Sequence, residues 1–160
     1  MNTRDYLEKT IVLARQALDS GNYPIGSLII DESGTVVAEG QNENFSTRDI
    51  SAHAEIQCLR KMDINTLLDP HRKFMLISSA EPCCACSFFI ARTNISDVHF
   101  AMIDPQKAGM ADLKHTPEFD GFFGAMTVTE APYADLKEQS ASLWKQYYVK
   151  IGKPEKAKLY

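Results

Sequence analysis

Four side chains carry the chemistry that this 160-residue sequence can do: His53, Glu55, Cys83 and Cys86. The first two form His53-Ala54-Glu55, and the others lie in Pro82-Cys83-Cys84-Ala85-Cys86. Cysteines three apart on the first turn of a helix point the same way, and His53 falls near the start of the preceding predicted helix. Partial positive charge at helix starts favours thiolate over thiol and readies the sulfurs for Zn²⁺. Two sulfurs and one imidazole make three ligands; a structural zinc site usually has four, whereas a catalytic one leaves a position for water. The set therefore predicts catalytic zinc. Zinc lowers the pKa of its water to about 7, and Glu55 is placed to carry the proton to a ring nitrogen and a departing amine. Zinc-bound hydroxide attacking an amine-bearing ring carbon, with loss of ammonia, is hydrolytic deamination.

Each motif alone has an ordinary explanation. Cys83-x-x-Cys86 could be a redox pair or part of a zinc knuckle, and a helical His-x-Glu is common on surfaces. The redox reading leaves His53 and Glu55 unexplained. Cys84 lies about 100° round the helix from Cys83, which suits packing better than ligation. Cys58, among apolar neighbours, reads as a small core residue, and His71, His99 and His115 have no partner pattern.

The elements that must position these groups follow from periodicity. Asn2 to about Ser20 has Leu7, Ile11, Ala14 and Leu18 at helical spacing, with Asn2 as cap and Gly21 as stop. Ile25–Ile30 and Thr35–Glu39 read as strands joined by a turn at Asp31-Glu32-Ser33-Gly34. A second helix begins near Ser51 or Ala52, with Ala52, Ile56 and Leu59 as its apolar stripe. Phe74–Ile77 is a strand, Cys83–Arg92 a helix opened by Pro82, and Val98–Ile103 a strand. Ala108–His115 reads as a short helix, Met126–Thr129 as a last strand, and a final amphipathic helix presents Leu136, Ser140, Leu143 and Tyr147 with Trp144 and Tyr148 beside them. Alternating strands and helices predict an α/β fold of three layers, α/β/α. Its mixed five-stranded sheet has an antiparallel first hairpin and mainly parallel strands after it.

A length of 160 residues with 44% hydrophobic content suits a single domain spanning 1–160. Without a stretch of about 20 apolar residues, and with an opening MNTRDYLEKT unlike a secretory signal, the expectation is a soluble, cytoplasmic protein with no membrane partner. Three of its four cysteines crowd together, which suits a metal better than disulfides. The net charge of −4 argues against a broad phosphate-binding surface. The exception follows Ser142, where five lysines stand against one glutamate, a local charge of +4, most simply read as a solvated end.

The His-x-Glu and Pro-Cys-x-x-Cys pair is similar to the zinc-deaminase signature. The sequence resembles the cytidine-deaminase-like superfamily, in the branch of guanine deaminases, fungal-type cytosine deaminases and bacterial tRNA adenosine deaminases. The likeness covers roughly residues 1–110, including Pro24-Ile25-Gly26, Gly40-Gln41-Asn42, Asp49, Ala80-Glu81-Pro82-Cys83 and the stretch from Asp104 to Gly109. It implies that His53, Cys83 and Cys86 hold zinc, that Glu55 shuttles protons, and that Asn42 and the backbone of Ala54 bind the substrate. Tyr160 is reminiscent of the tyrosine with which guanine deaminases close their pocket. Departures are Ala85, where relatives commonly carry methionine, the absence of an Asn-His pair in Phe119–Gly124, and a Tyr133–Ser142 stretch that is not basic.

The resulting expectation is a deaminase of a small free nucleobase or nucleoside, a guanine-like purine ahead of cytosine. A tRNA adenosine deaminase, which would flip its base into the same pocket, is the rival. A zinc-stabilised binding protein without catalysis is the third reading. A homodimer is expected from the resemblance and from the apolar breadth of Phe88, Phe89 and Ile90.

Overall fold

The computed structural model describes residues 2–106 and 109–160, and its first element starts where the capping signal places it. Asn2 accepts from the Asp5 amide while the Asp5 carboxylate accepts from the Asn2 amide, which opens α1 (Thr3–Asp19). β1 (Gly26–Asp31) and β2 (Val36–Gln41) follow, and Asp31 Oδ1 holds their turn by accepting from the amides of Ser33 and Thr35. Next come α2 (Asn44–Thr47), α3 (Ala54–Arg60), α4 (Ile64–Leu68), β3 (Phe74–Ser78), α5 (Cys84–Ile90) and β4 (Ile95–Phe100). The last third contains α6 (Met110–Lys114), a 3₁₀ turn at Pro117–Phe119, α7 (Asp120–Phe123), β5 (Thr127–Glu130), α8 (Ala134–Lys150) and α9 (Pro154–Ala157).

The sheet order is β2-β1-β3-β4-β5. β1 pairs antiparallel with both β2 and β3, whereas β3–β4 and β4–β5 are parallel. Four strands thus share one direction and β1 alone opposes them, giving the mixed sheet that was expected. Alternation along the strands assigns the layers. Leu28, Ile30 and Ile77 pack on one face with Leu7 and Ile11 of α1 and Leu143 and Trp144 of α8. Ile29, Leu76, Val98 and Phe100 pack on the other with Cys58 of α3 and Ile90 of α5. Burial of large aliphatic side chains on both faces, at about 25 cal/mol per Å² of apolar surface, is what holds helices to the sheet.

Several boundaries differ from the pattern-based reading. α3 starts at Ala54 rather than at Ser51 or Ala52, so His53 is its cap residue. Its buried face is Ala54, Glu55 and Cys58. Of the expected stripe, Ala52 is buried but precedes the helix, while Ile56 and Leu59 are half-buried and pack against the core. Glu55 shares the buried face, and the fold places it beside the site. β4 ends at Phe100, three residues short of the expected Ile103, because Met102 has already left the ladder to accept from the Glu81 amide. The expected helix from Ala108 begins outside the described residues, and its described part is Met110–Lys114. Two short helices, α2 and α4, carry too few residues for a periodic signal. Among the described residues no helix is long and apolar enough to cross a membrane.

Candidate active site

His53 and Cys83 are both cap residues with extended backbone, His53 at φ −74°, ψ 152° and Cys83 at φ −68°, ψ 167°. A cap residue stands just outside its helix, and both line a cavity at the sheet edge formed by the start of β1 and the C-terminal ends of β2 and β3, whose flanking residues Ile25, Asn42 and Ala80 also line it. Cys86, one turn into α5, presents its sulfur on the same side as Cys83. The close approach of α3 to β2 that brings His53 here depends on Gly40, where a Cβ would sit 2.4 Å from the Ala54 carbonyl oxygen.

The three donor atoms fit one ion. Cys83 Sγ lies 3.6 Å and Cys86 Sγ 3.4 Å from His53 Nδ1, and the sulfurs are 3.7 Å apart. Tetrahedral zinc, with bonds of about 2.3 Å to sulfur and about 2.0–2.1 Å to nitrogen, needs edges of about 3.6 Å from sulfur to nitrogen and about 3.8 Å between sulfurs. The observed triangle therefore matches the triangle that zinc requires. These three are the one group of histidine, cysteine or acidic side chains able to hold a metal among the described residues, all donor atoms lying within 4.8 Å of one another. The two sulfurs are coupled: their mutual hydrogen bond brings Cys83 down to about 3, while the same bond and burial push Cys86 up.

Glu55 is 2% exposed, with Oε2 accepting from Cys86 Sγ at 3.6 Å. Burial pushes its carboxyl up to about 7. Its carboxyl thus sits buried beside the metal-capable triangle.

His53, Glu55 and Cys83 lie on the wall of a cavity of about 420 Å³. Asn42, fully buried, also lines it; its amide donates to Asn44 Oδ1 at 2.6 Å and its Oδ1 accepts from the Asn44 amide at 3.2 Å. Ala54 is fully buried between the two lining residues His53 and Glu55. Tyr160 is not on the wall but one layer behind it, donating to Asp104 Oδ1 at 2.6 Å and stacking on Trp144 at 5.4 Å and 4°. Cys58 is fully buried and donates to the Ser27 carbonyl, and Cys84, His71, His99 and His115 stay outside the triangle, as their spacing predicts.

Pattern reading missed much of the opposite wall: Tyr23, Phe45, Asp104 and Trp144 all line the cavity. Tyr23 stacks on Phe45 at 5.2 Å and on Trp144 at 5.8 Å, giving one side of the cavity an aromatic surface. Trp144 looked like helix core because it is both core and wall. Asp104 lay inside the Asp-Pro stretch already singled out, which was its only signal. Glu81 ties this wall to the metal side: it accepts from the Ala111 amide at 2.7 Å, and Gly109 must be glycine because a Cβ there would lie 2.2 Å from the Glu81 carboxyl carbon.

Residues 1–102 match the family model of the cytidine and deoxycytidylate deaminase zinc-binding region. The chain belongs to this family. It is 31% identical over 117 residues to the guanine deaminase of Bacillus subtilis, covering 70% of this chain and 73% of that one. It is 27% identical over 147 residues to the tRNA-specific adenosine deaminase of Haemophilus influenzae, covering 92% and 85%. A solved structure from work on A-to-I editing by tRNA:A34 deaminases has the same fold, with a TM-score of 0.73 at 23% identity over 88% of this chain and 99% of that one. Membership makes this a zinc-binding deaminase domain, with relatives acting on both free bases and tRNA.

Proposed function

We propose that this zinc-binding deaminase acts on a free nucleobase or nucleoside, a guanine-like purine ahead of cytosine. His53 Nδ1 and the sulfurs of Cys83 and Cys86 hold the zinc. The observation that carries the reading is the zinc-sized triangle with Glu55 beside it on the wall of a ring-sized, partly aromatic cavity. Zinc on three protein atoms supplies Lewis-acid activation of water near neutral pH. Glu55 holds and moves the proton at Oε2, taking it from the attacking water and returning it to the ring nitrogen and then the amine. The bond formed is carbon to oxygen, and the bond broken is carbon to nitrogen, with ammonia leaving. Asn42, pinned by Asn44, and the first turn of α3 at Ala54 orient the ring. The aromatic faces of Tyr23 and Phe45 cover it.

The small-base reading is supported over the tRNA reading by charge. The chain carries −4 overall, and two of the five lysines in its basic stretch are engaged internally: Lys150 donates to the Leu18 carbonyl at 3.1 Å, and Lys156 lies 5.7 Å from the centre of the Tyr148 ring. Ammonia release by the zinc-loaded protein should be measured on guanine, adenine, cytosine, their nucleosides and a tRNA stem-loop. Turnover of a free base is the expected result; turnover of the stem-loop alone would overturn the reading. Ammonia release by the wild type that disappears in Glu55→Gln, with one zinc per chain in both, would exclude a zinc-stabilised binding protein without catalysis.

The reading extends to a homodimer, on one of the three residues the sequence suggested. Phe88 is covered within the chain by Phe119, Phe122 and Phe123, and Ile90 is core. What supports a second copy is an apolar groove of about 570 Å³ between α3, α4 and α5, edged by the exposed Ile64, Leu68 and Phe89. A monomeric mass at micromolar concentration would remove this part of the proposal.

A further inference from the structure

The Tyr160 side chain touches the cavity only through two groups that line it. Its hydroxyl donates to Asp104 Oδ1 at 2.6 Å, and its ring lies parallel to Trp144. Gln106 closes the arrangement, with its backbone amide donating to Asp104 Oδ1 at 2.9 Å and its side-chain amide donating to the hydroxyls of Tyr160 at 3.1 Å and Tyr148 at 3.0 Å. Asp104 is 6% exposed and Trp144 is fully buried, so neither reorients without displacing the other members. Tyr148 adds a third ring, 5.9 Å from both Trp144 and Tyr160. The segment after α8 is therefore anchored at Tyr160, while its lysines stay exposed as expected.

Resting on the small-base reading above, we propose that Tyr160 is a positioning residue. It sets, through its hydroxyl and its ring, the orientation of the Asp104 carboxylate and the plane of Trp144, and thereby the affinity of the cavity for a planar base. Two features support a positioning role over a purely structural one. First, both contacts end on groups that line the cavity and are not among the three metal-capable side chains. Second, the hydroxyl stays a donor at physiological pH, since burial and its bond to Asp104 raise its pKa. A phenol donating to a carboxylate is a directional contact that fixes which way the carboxylate faces.

Trp144 is the only tryptophan in the chain, so its emission reports directly on this wall. The experiment titrates the zinc-loaded protein with xanthine and with uracil, bases that carry no exocyclic amine to lose, and follows Trp144 fluorescence. It compares the wild type with Tyr160→Phe, Asp104→Asn and the double variant, with thermal melts of each. Tyr160→Phe keeps the stack and loses the hydroxyl. The expected result is about fivefold weaker binding, the size of one ordinary net hydrogen bond, with zinc content and melting temperature held. Asp104→Asn should weaken binding at least as much, and the double variant no more than Asp104→Asn, because both changes act through one contact. In turnover with the preferred base, KM should rise with kcat held. Unchanged affinity in Tyr160→Phe, fully additive effects, or a fall in melting temperature with affinity intact would overturn the proposal. If the wild type binds neither probe, the small-base reading fails, and the proposal with it.

Discussion

The two sides of the cavity are built by different means. On the metal side, His53 and Glu55 come from one cap and first turn, and Cys83 and Cys86 from another, so local helix geometry sets the spacing within each pair and a single meeting of two helix starts sets the rest. On the other side, Asp104, Trp144 and Tyr160 come from a loop, a long helix and the segment after it, and they meet through stacking between Trp144 and Tyr160 and a hydrogen bond spanning 56 residues between Asp104 and Tyr160. The metal side is built from two helix starts. The other side is held by packing, and so it can vary without disturbing the zinc ligands. Within one family that separation lets water activation stay constant while the ring that is accepted changes.

Variants can break or sharpen this contrast. The largest effects belong to the metal side. Cys86→Ala should lose stoichiometric zinc, measured by metal analysis, and ammonia release should fall to background. Glu55→Gln should keep one zinc per chain and lose about 10²–10⁴ in rate, the usual size of a positioned proton carrier. If zinc fell along with activity in Glu55→Gln, the carboxylate would be a ligand and the assignment wrong.

Two glycines give a sharper comparison at intermediate size. Gly40→Ala pushes on the Ala54 carbonyl and hence on His53, whereas Gly109→Ala pushes on the Glu81 carboxylate and hence on the α6 segment. Each should cost about 1–3 kcal/mol through overpacking. Only Gly40→Ala should weaken zinc retention against a chelator; Gly109→Ala should raise KM with zinc still bound. Equal zinc loss in both would show that the two sides are not independent.

The smallest effect is a pH dependence remote from the cavity. His99, half-buried on β4, has its pKa held below 6.5 by burial, against a partial opposing pull from Asp97. The unfolded chain takes up this proton more readily than the folded one, so stability is full above about pH 6.5 and declines as pH falls towards the folded value. Urea midpoints at pH 7.5 and 5.5 should converge slightly in His99→Gln. A steeper decline in the variant would reverse the sign.

Much of the metal side was legible because its geometry is local. A His-x-Glu and a Cys-x-x-Cys at helix starts already determine which side chains can point together, and capping and periodicity place α1 within a residue or two. Alternation of Leu28, Ile29 and Ile30 likewise determines which side chains face which helical layer. What only the tertiary structure decided is where the two caps meet, at spacings of 3.4 to 3.7 Å. It also decided that Glu55 is buried, with its carboxyl against Cys86. Finally, it turned Tyr160 from a terminal residue into a brace behind Asp104. Those outcomes depend on contacts between segments far apart in the chain, and such contacts leave no periodic trace in the amino-acid order.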